Sequence, residues 1–219
     1  MSDLPLLLGH RGARSSKLAP ENTLASFDLA LQHGCDGFEF DVRLTGSGRA
    51  VICHDPKVDG IEVSRATADQ LLHLPLLEDV LQRYCQRAFL NIELKVSGLE
   101  SKVLNSLREC RVEENYVVSS FLPEVVTELK TRSAKVRTGI ICDKPGQLAC
   151  WRETNVEYVI PHYSLVTHAL VQEVHGAGSK LLTWTVNNRK AMLRLARWRV
   201  DGIISDDTEL LAQTFARSE

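Results

Sequence analysis

Apolar residues recur along this chain in two alternating rhythms. Short runs rich in β-branched and aromatic residues stand at Pro5–Gly9, Gly37–Arg43, Ala50–His54, Ala88–Lys95, Tyr116–Ser120, Val136–Cys142, Glu157–Pro161, Leu181–Val186 and Gly202–Ser205. Each has the length of a strand. Between most of them the apolar spacing changes to that of a helix face: Leu24, Phe27 and Leu31; Leu77, Val80, Leu81 and Tyr84; Leu99, Val103, Leu107 and Cys110; Met192, Leu195 and Ala196. Asn22, shortly after Pro20, is expected to cap the first helix and Gly34 to stop it.

Strands separated by helices pair in parallel through right-handed crossovers. Ala50–His54 follows the turn sequence Thr45-Gly46-Ser47-Gly48 and reads as the return arm of a hairpin. Setting it aside leaves eight strand–helix units in 219 residues. That is the arithmetic of an α/β protein of the parallel (β/α)8 TIM-barrel type, with a β-hairpin extension after the second strand. A doubly wound open sheet is the competing topology. No linker or low-complexity stretch divides the chain, so residues 1–219 are expected to form one domain.

Composition narrows the partners. The chain is 44% hydrophobic and 25% charged, an ordinary globular balance, with a formal net charge of −2. That charge gives no footprint for nucleic acid, and no apolar run is long enough for an integral membrane segment. The six cysteines (35, 53, 85, 110, 142, 150) contain no CxxC pair and are expected to be reduced and mostly buried. The N-terminus lacks a basic region followed by an apolar one, so a cytoplasmic location is expected.

Barrel enzymes carry their active sites at the C-terminal ends of the strands. There the sequence is polar. His10 and Arg11 end the first strand. In "GFEFDVRL", Glu39 and Asp41 are two apart and share one face, while Phe38, Phe40 and Val42 take the other. His54 ends the apolar run of "AVICHDP", and in "FLNIELKVSG" Glu93 and Lys95 share a face. Taken singly, a strand-end histidine is usually structural, E-x-D can be half of an ion-pair lattice, and Lys95 could simply neutralise Glu93. Together they leave three carboxylates against two cations, a surplus that a divalent cation would offset. An all-oxygen set suits Mg²⁺ or Ca²⁺ better than zinc. Arg11 and Lys95 match a bound phosphate, and two imidazoles can act as general acid and base near neutral pH. Cys53, beside His54, reads as strand packing. His162 and Tyr163, after the sixth strand, are candidates for the pocket lining.

Eight tags lie in register: "HRG" at 10–12, "PENT" at 20–23, "FDLAL" at 27–31, G-x-D-x-x-E-x-D-V from Gly34 to Val42, "HD" at 54–55, "IELK" at 92–95, "TWTVN" at 183–187 and "VDGIISDD" at 200–207. In this the chain closely resembles the glycerophosphodiester phosphodiesterases. The resemblance implies a metal-dependent TIM barrel, using Mg²⁺ or Ca²⁺, that cleaves small-molecule glycerophosphodiesters to glycerol 3-phosphate and an alcohol. It implies acid/base roles for His10 and His54, metal ligation by Glu39, Asp41 and Glu93, phosphate contacts from Arg11 and Lys95, and a pocket wall or barrel-top packing for Trp184. Glu21 and Asn22 of "PENT" take structural roles on this reading. The segment at residues 55–75 is shorter than the lid that members of the family often carry there. Three alternatives compete: a lysophospholipase D or sphingomyelinase D-like phosphodiesterase, a Schiff-base aldolase using Lys95, and a phosphate-binding module without catalysis.

Overall fold

Strand β1 (Leu6–His10) pairs in parallel with β2 (Gly37–Leu44) on one side and with the last strand, β8 (Gly202–Ser205), on the other. The ring is completed by β3 (Phe89–Leu94), β4 (Tyr116–Ser120), β5 (Thr138–Cys142), β6 (Tyr158–Pro161) and β7 (Lys180–Thr183), each parallel to its neighbours. This closed parallel barrel, seen in a computed structural model that describes residues 4–216, has the expected helices between its strands. They are α1 (Leu24–Gln32), α2 (Leu77–Tyr84), α3 (Glu100–Glu109), α4 (Pro123–Arg132), α5 (Pro145–Leu148), α6 (His168–Gly176), α7 (Arg189–Arg197) and α8 (Thr208–Phe215).

The two faces of each strand do different work. Outward side chains pack under the helices: Phe27 of α1 stacks on Phe38 of β2 at 4.2 Å, and Tyr84 of α2 meets Phe38 edge-on at 5.0 Å. Aromatic pairs of this kind add to the burial energy of the rings. Inward side chains divide by depth. Leu8, Phe89, Val117, Tyr158 and Leu182 belong to an apolar cluster inside the barrel, while the inward positions nearer the strand ends are charged.

Two local details differ from the sequence reading, and a third agrees with it. Thr23, not Asn22, caps α1, its hydroxyl accepting from Ser26 N at 3.2 Å. Asn22 sits at φ 57 with its side chain drawn to a buried carboxylate. Gly34 does end α1, at φ 98, a conformation that suits a residue without Cβ. The seventh strand stops at Thr183, short of Val186; beyond it only isolated hydrogen bonds to the neighbouring strands remain, Val186 N donating to Ile204 O at 3.0 Å.

The hairpin arm Ala50–Ile52 runs antiparallel to β2, pairing Val42 with Ile52. It is followed by a small ladder, Lys57–Val58 against Ile61–Glu62, which packs Val58 and Ile61 with Val63, Ala66 and Leu71 against Val51 and Cys53 of the hairpin. Among the described residues no helix is long and apolar enough to cross a membrane.

Candidate active site

The barrel register brings the charged strand ends together: His10 lies beside Glu39, and Asp41 beside Glu93. Glu39, Asp41 and Glu93 are all buried, and each contributes a carboxylate oxygen that lies within 4.8 Å of the other two. Lys95, immediately after β3, reaches back to Glu93 Oε1 at 2.5 Å and Asp41 Oδ1 at 3.3 Å. Its ammonium also lies 5.7 Å from the centre of the Phe121 ring.

The β1–α1 loop supplies the next layer. Arg11 and Asn22 both adopt left-handed backbone, at φ 52 and 57, uncommon for residues other than glycine. Asn22 N donates to Arg11 O at 3.0 Å, closing the loop and turning Arg11 N towards Glu39 Oε2, also at 3.0 Å. Gly12 follows at φ 80, where a Cβ would meet Ser26 Oγ at 2.4 Å, so only glycine lets this loop lie against α1. The Arg11 guanidinium donates to Glu21 Oε1 at 2.8 Å. Its Nε stands 3.1 Å from Asp41 Oδ2 but is not aligned as a hydrogen bond. Asn22 clamps Asp41, donating from Nδ2 to Oδ2 at 2.8 Å and accepting from the Asp41 N–H at 3.2 Å.

Electrostatics divide the three carboxylates. Burial, then repulsion from Asp41 and Glu93, pushes Glu39 well above the usual carboxylate range. Burial and Asp41 push Glu93 up to about 7, against the pull of Lys95. Burial would raise Asp41 too, but Lys95, Arg11 and the Asn22 hydrogen bond outweigh it and hold this group low. Glu39 Oε1 is buried with no hydrogen-bond partner in the protein. An oxygen-only trio that carries an unpartnered acceptor and is strained by its own charge fits a hard divalent cation.

The histidines are held differently. His10 is 8% exposed, and its Nδ1 lies 2.7 Å from Asp206 Oδ1. Burial opposes ionisation of Asp206, but His10, Asn187 and Arg14 outweigh it and hold the carboxyl well below its usual range. An ionised carboxylate only accepts, so Nδ1 carries the ring proton and Nε2 is left facing Glu39 Oε2, 3.8 Å away. His54 is carried to the rim by the hairpin, where Arg43 Nε donates to its carbonyl at 2.7 Å. Its Nδ1 meets Asp55 Oδ1 at 2.8 Å, and its side chain is 34% exposed. Cys53 is buried, which pushes its thiol up to about 11, out of the range of a nucleophilic thiolate.

One cavity of about 120 Å³ joins these groups. His10, Arg11, Glu39, His54, Glu93 and Lys95 form its polar side; Phe121, Ile141, Ile160, Trp184 and Ile204 form an apolar side. Trp184 is both wall and packing: its Nε1 donates to Ile160 O at 3.0 Å, and Phe121 meets it edge-on at 5.5 Å. His162 stands 5.5 Å from the Trp184 ring and turns its own Nδ1 to Ser164, so it backs the wall instead of lining the cavity. Asp206 was not singled out as a site residue by the sequence, although "SDD" lies at a strand end and the rule that found His10 applies to it equally.

Fold and rim together define a class, the (β/α)8 barrels that cleave phosphodiesters. The sequence profile of the glycerophosphoryl diester phosphodiesterase family matches residues 10–210. The chain belongs to that family and is an enzyme. It is 31% identical to a glycerophosphodiester phosphodiesterase of Caldanaerobacter subterraneus subsp. tengcongensis over 238 residues, covering 94% of this chain and 96% of that relative. The glycerophosphodiester phosphodiesterase of Thermotoga maritima superposes with a TM-score of 0.81 at 24% identity, covering 95% of this chain and 97% of that one. A phosphodiesterase of Oleispira antarctica, solved with the product sn-glycerol-3-phosphate, superposes with a TM-score of 0.81 at 25% identity, covering 96% of each chain.

Proposed function

We propose that this chain is a cytoplasmic, single-domain, metal-dependent phosphodiesterase that hydrolyses small glycerophosphodiesters, such as glycerophosphocholine or glycerophosphoethanolamine, to glycerol 3-phosphate and an alcohol. The observation that carries this is the buried carboxylate trio within 4.8 Å, flanked by two imidazoles and two cations around one cavity. Six free cysteines suit a reducing compartment.

Glu39, Asp41 and Glu93 would hold the cation, Mg²⁺ or Ca²⁺, which when bound supplies Lewis-acid polarisation of a phosphate oxygen. Arg11 and Lys95 bind the phosphate and offset charge growing on it. Of His10 and His54, one takes a proton from the attacking oxygen and the other returns one to the leaving alkoxide, each through Nε2. Trp184 and Phe121 exclude water from the apolar side. Turnover of a panel of glycerol phosphodiesters bearing choline, ethanolamine, glycerol or inositol, with a lysophospholipid arm, tests the reading. Released glycerol 3-phosphate is expected, lost with EDTA and restored by Mg²⁺ or Ca²⁺. Turnover indifferent to the chelator, or choline release from the lysophospholipid alone, would sink it.

The carboxylates also set a pH signature. Glu93, ordinarily near 4.5, is raised to about 7 in the fold, so through that window the folded chain retains a proton that the unfolded chain has lost. Stability of the metal-free protein therefore falls as pH rises between those values. Asp41 and Asp206, held below 3.8, add slope of the opposite sign only below that pH. Protons compete with a cation for the same oxygens. Thermal melts are expected to show a larger rise with saturating Mg²⁺ or Ca²⁺ at about pH 8 than at about pH 5.5. Equal shifts would remove the carboxylates from the cation site.

A further inference from the structure

One pleat deeper than Glu93 on β3, Asn91 lines the same cavity, which Ile141, Ile160 and Ile204 also line. It is 1% exposed. Its Oδ1 accepts from Ser119 Oγ at 2.7 Å, a hydroxyl on the neighbouring strand β4 that is itself fully buried. With Oδ1 engaged there, Nδ2 is the polar atom the side chain has left, and it has no acceptor in the protein. A buried donor without an acceptor is costly and rare in native structures. Its register partners are Val117 on β4, which offers no side-chain acceptor, and Glu39 on β2, whose own free oxygen belongs to the carboxylate trio.

We infer that Asn91 Nδ2 donates to a hydroxyl of the glycerol half of the substrate, making Asn91 a specificity-determining residue; this rests on the glycerophosphodiesterase reading above. The anionic phosphate oxygens are matched by Arg11 and Lys95 at the rim, which leaves a neutral amide for a neutral hydroxyl. The three isoleucines that share the cavity suit a short carbon skeleton, and a cavity of about 120 Å³ admits a group of that size. A site whose buried donor is committed to a substrate hydroxyl discriminates strongly against ligands that lack one.

The test compares two ligands that share a phosphate and differ in the polyol: glycerol 3-phosphate and inorganic phosphate, titrated into the metal-loaded protein. Asn91→Ala is expected to weaken glycerol 3-phosphate binding about tenfold or more while leaving inorganic phosphate within about twofold. In kinetics, kcat/KM should fall for glycerophosphocholine and hold for bis(p-nitrophenyl) phosphate, a diester with no polyol. Equal losses for both ligands would make Asn91 a support for the carboxylates, and unchanged binding of both would show the amide idle; either result overturns the inference. Should Asn91→Ala fail to fold, Ser119→Ala decides, since it frees the amide to rotate while keeping it in place. A smaller loss confined to glycerol 3-phosphate supports the contact, and unaltered discrimination removes it. Failure of the broader reading appears instead in the unmodified enzyme, as absent turnover of every glycerophosphodiester, and takes this inference with it.

Discussion

Glu93→Gln is expected to lower kcat/KM for glycerophosphocholine on the order of 10³-fold while the protein stays folded, since cation-derived stabilisation of transition-state charge is worth several kcal/mol and each ~1.4 kcal/mol is tenfold. Glutamine keeps the shape of the side chain and removes one of three buried carboxyl groups. Lys95 keeps an amide oxygen to donate to but loses the charge of its 2.5 Å partner, and it retains Asp41 at 3.3 Å. Because burial and Asp41 already push Glu93 up to about 7, the neutral replacement relieves repulsion in the metal-free fold. Its melting temperature at about pH 8 should match or exceed that of the unmodified protein, while titration calorimetry shows weakened Mg²⁺ or Ca²⁺ binding. An inactive, stable, metal-poor variant is thus the expected phenotype. Normal turnover at saturating cation would exclude Glu93 from the cation site.

Removing either imidazole should cost comparably. His10→Ala and His54→Ala are each expected to lower kcat by about 10²–10⁴-fold, the range for a positioned general acid or base. The two should differ in rescue. The His54 side chain is 34% exposed, so free imidazole can enter the space left by His54→Ala and restore part of the rate. His10 is 8% exposed and walled in by Asp206 and Glu39, so His10→Ala should resist rescue. Asp206→Asn, which no longer fixes the proton on Nδ1, should reproduce most of the His10→Ala loss. Asp55→Asn should cost less than about tenfold, because that carboxylate is 74% exposed and its pairing with His54 is screened by solvent. Steady-state kinetics with bound metal measures all four; near-normal kcat in either alanine variant would exclude that histidine from proton transfer.

Local spacing was legible wherever one residue's environment depends on its near neighbours. The alternation in "GFEFDVRL" sent Phe38, Phe40 and Val42 under the helices and Glu39 and Asp41 inward, because successive side chains of a strand point to opposite faces whatever the rest of the chain does. The eight strand–helix units implied the barrel for a similar reason, since parallel strands need crossovers of helix length. Capping rules point to Asn22 because they are local, whereas its amide answers to Asp41, nineteen residues away, across the top of the barrel. The apolar run extends past the seventh strand because Trp184 and Val186 have strand-like chemistry, yet they are held by isolated hydrogen bonds to β6 and β8 and not by a continued ladder.

Backbone periodicity alone assigns the elements, their inward and outward faces, and the collection of carboxylates, imidazoles and cations at strand ends. Which of those groups meet is set by the closure of the barrel. Closure of β8 against β1 sets Asp206 on His10 across 196 residues of chain, and the register of β3 between β2 and β4 leaves Asn91 with one hydrogen bond made and one donor free. Such pairings follow from how a twisted sheet closes on itself, a property of all eight strands together that no local stretch encodes.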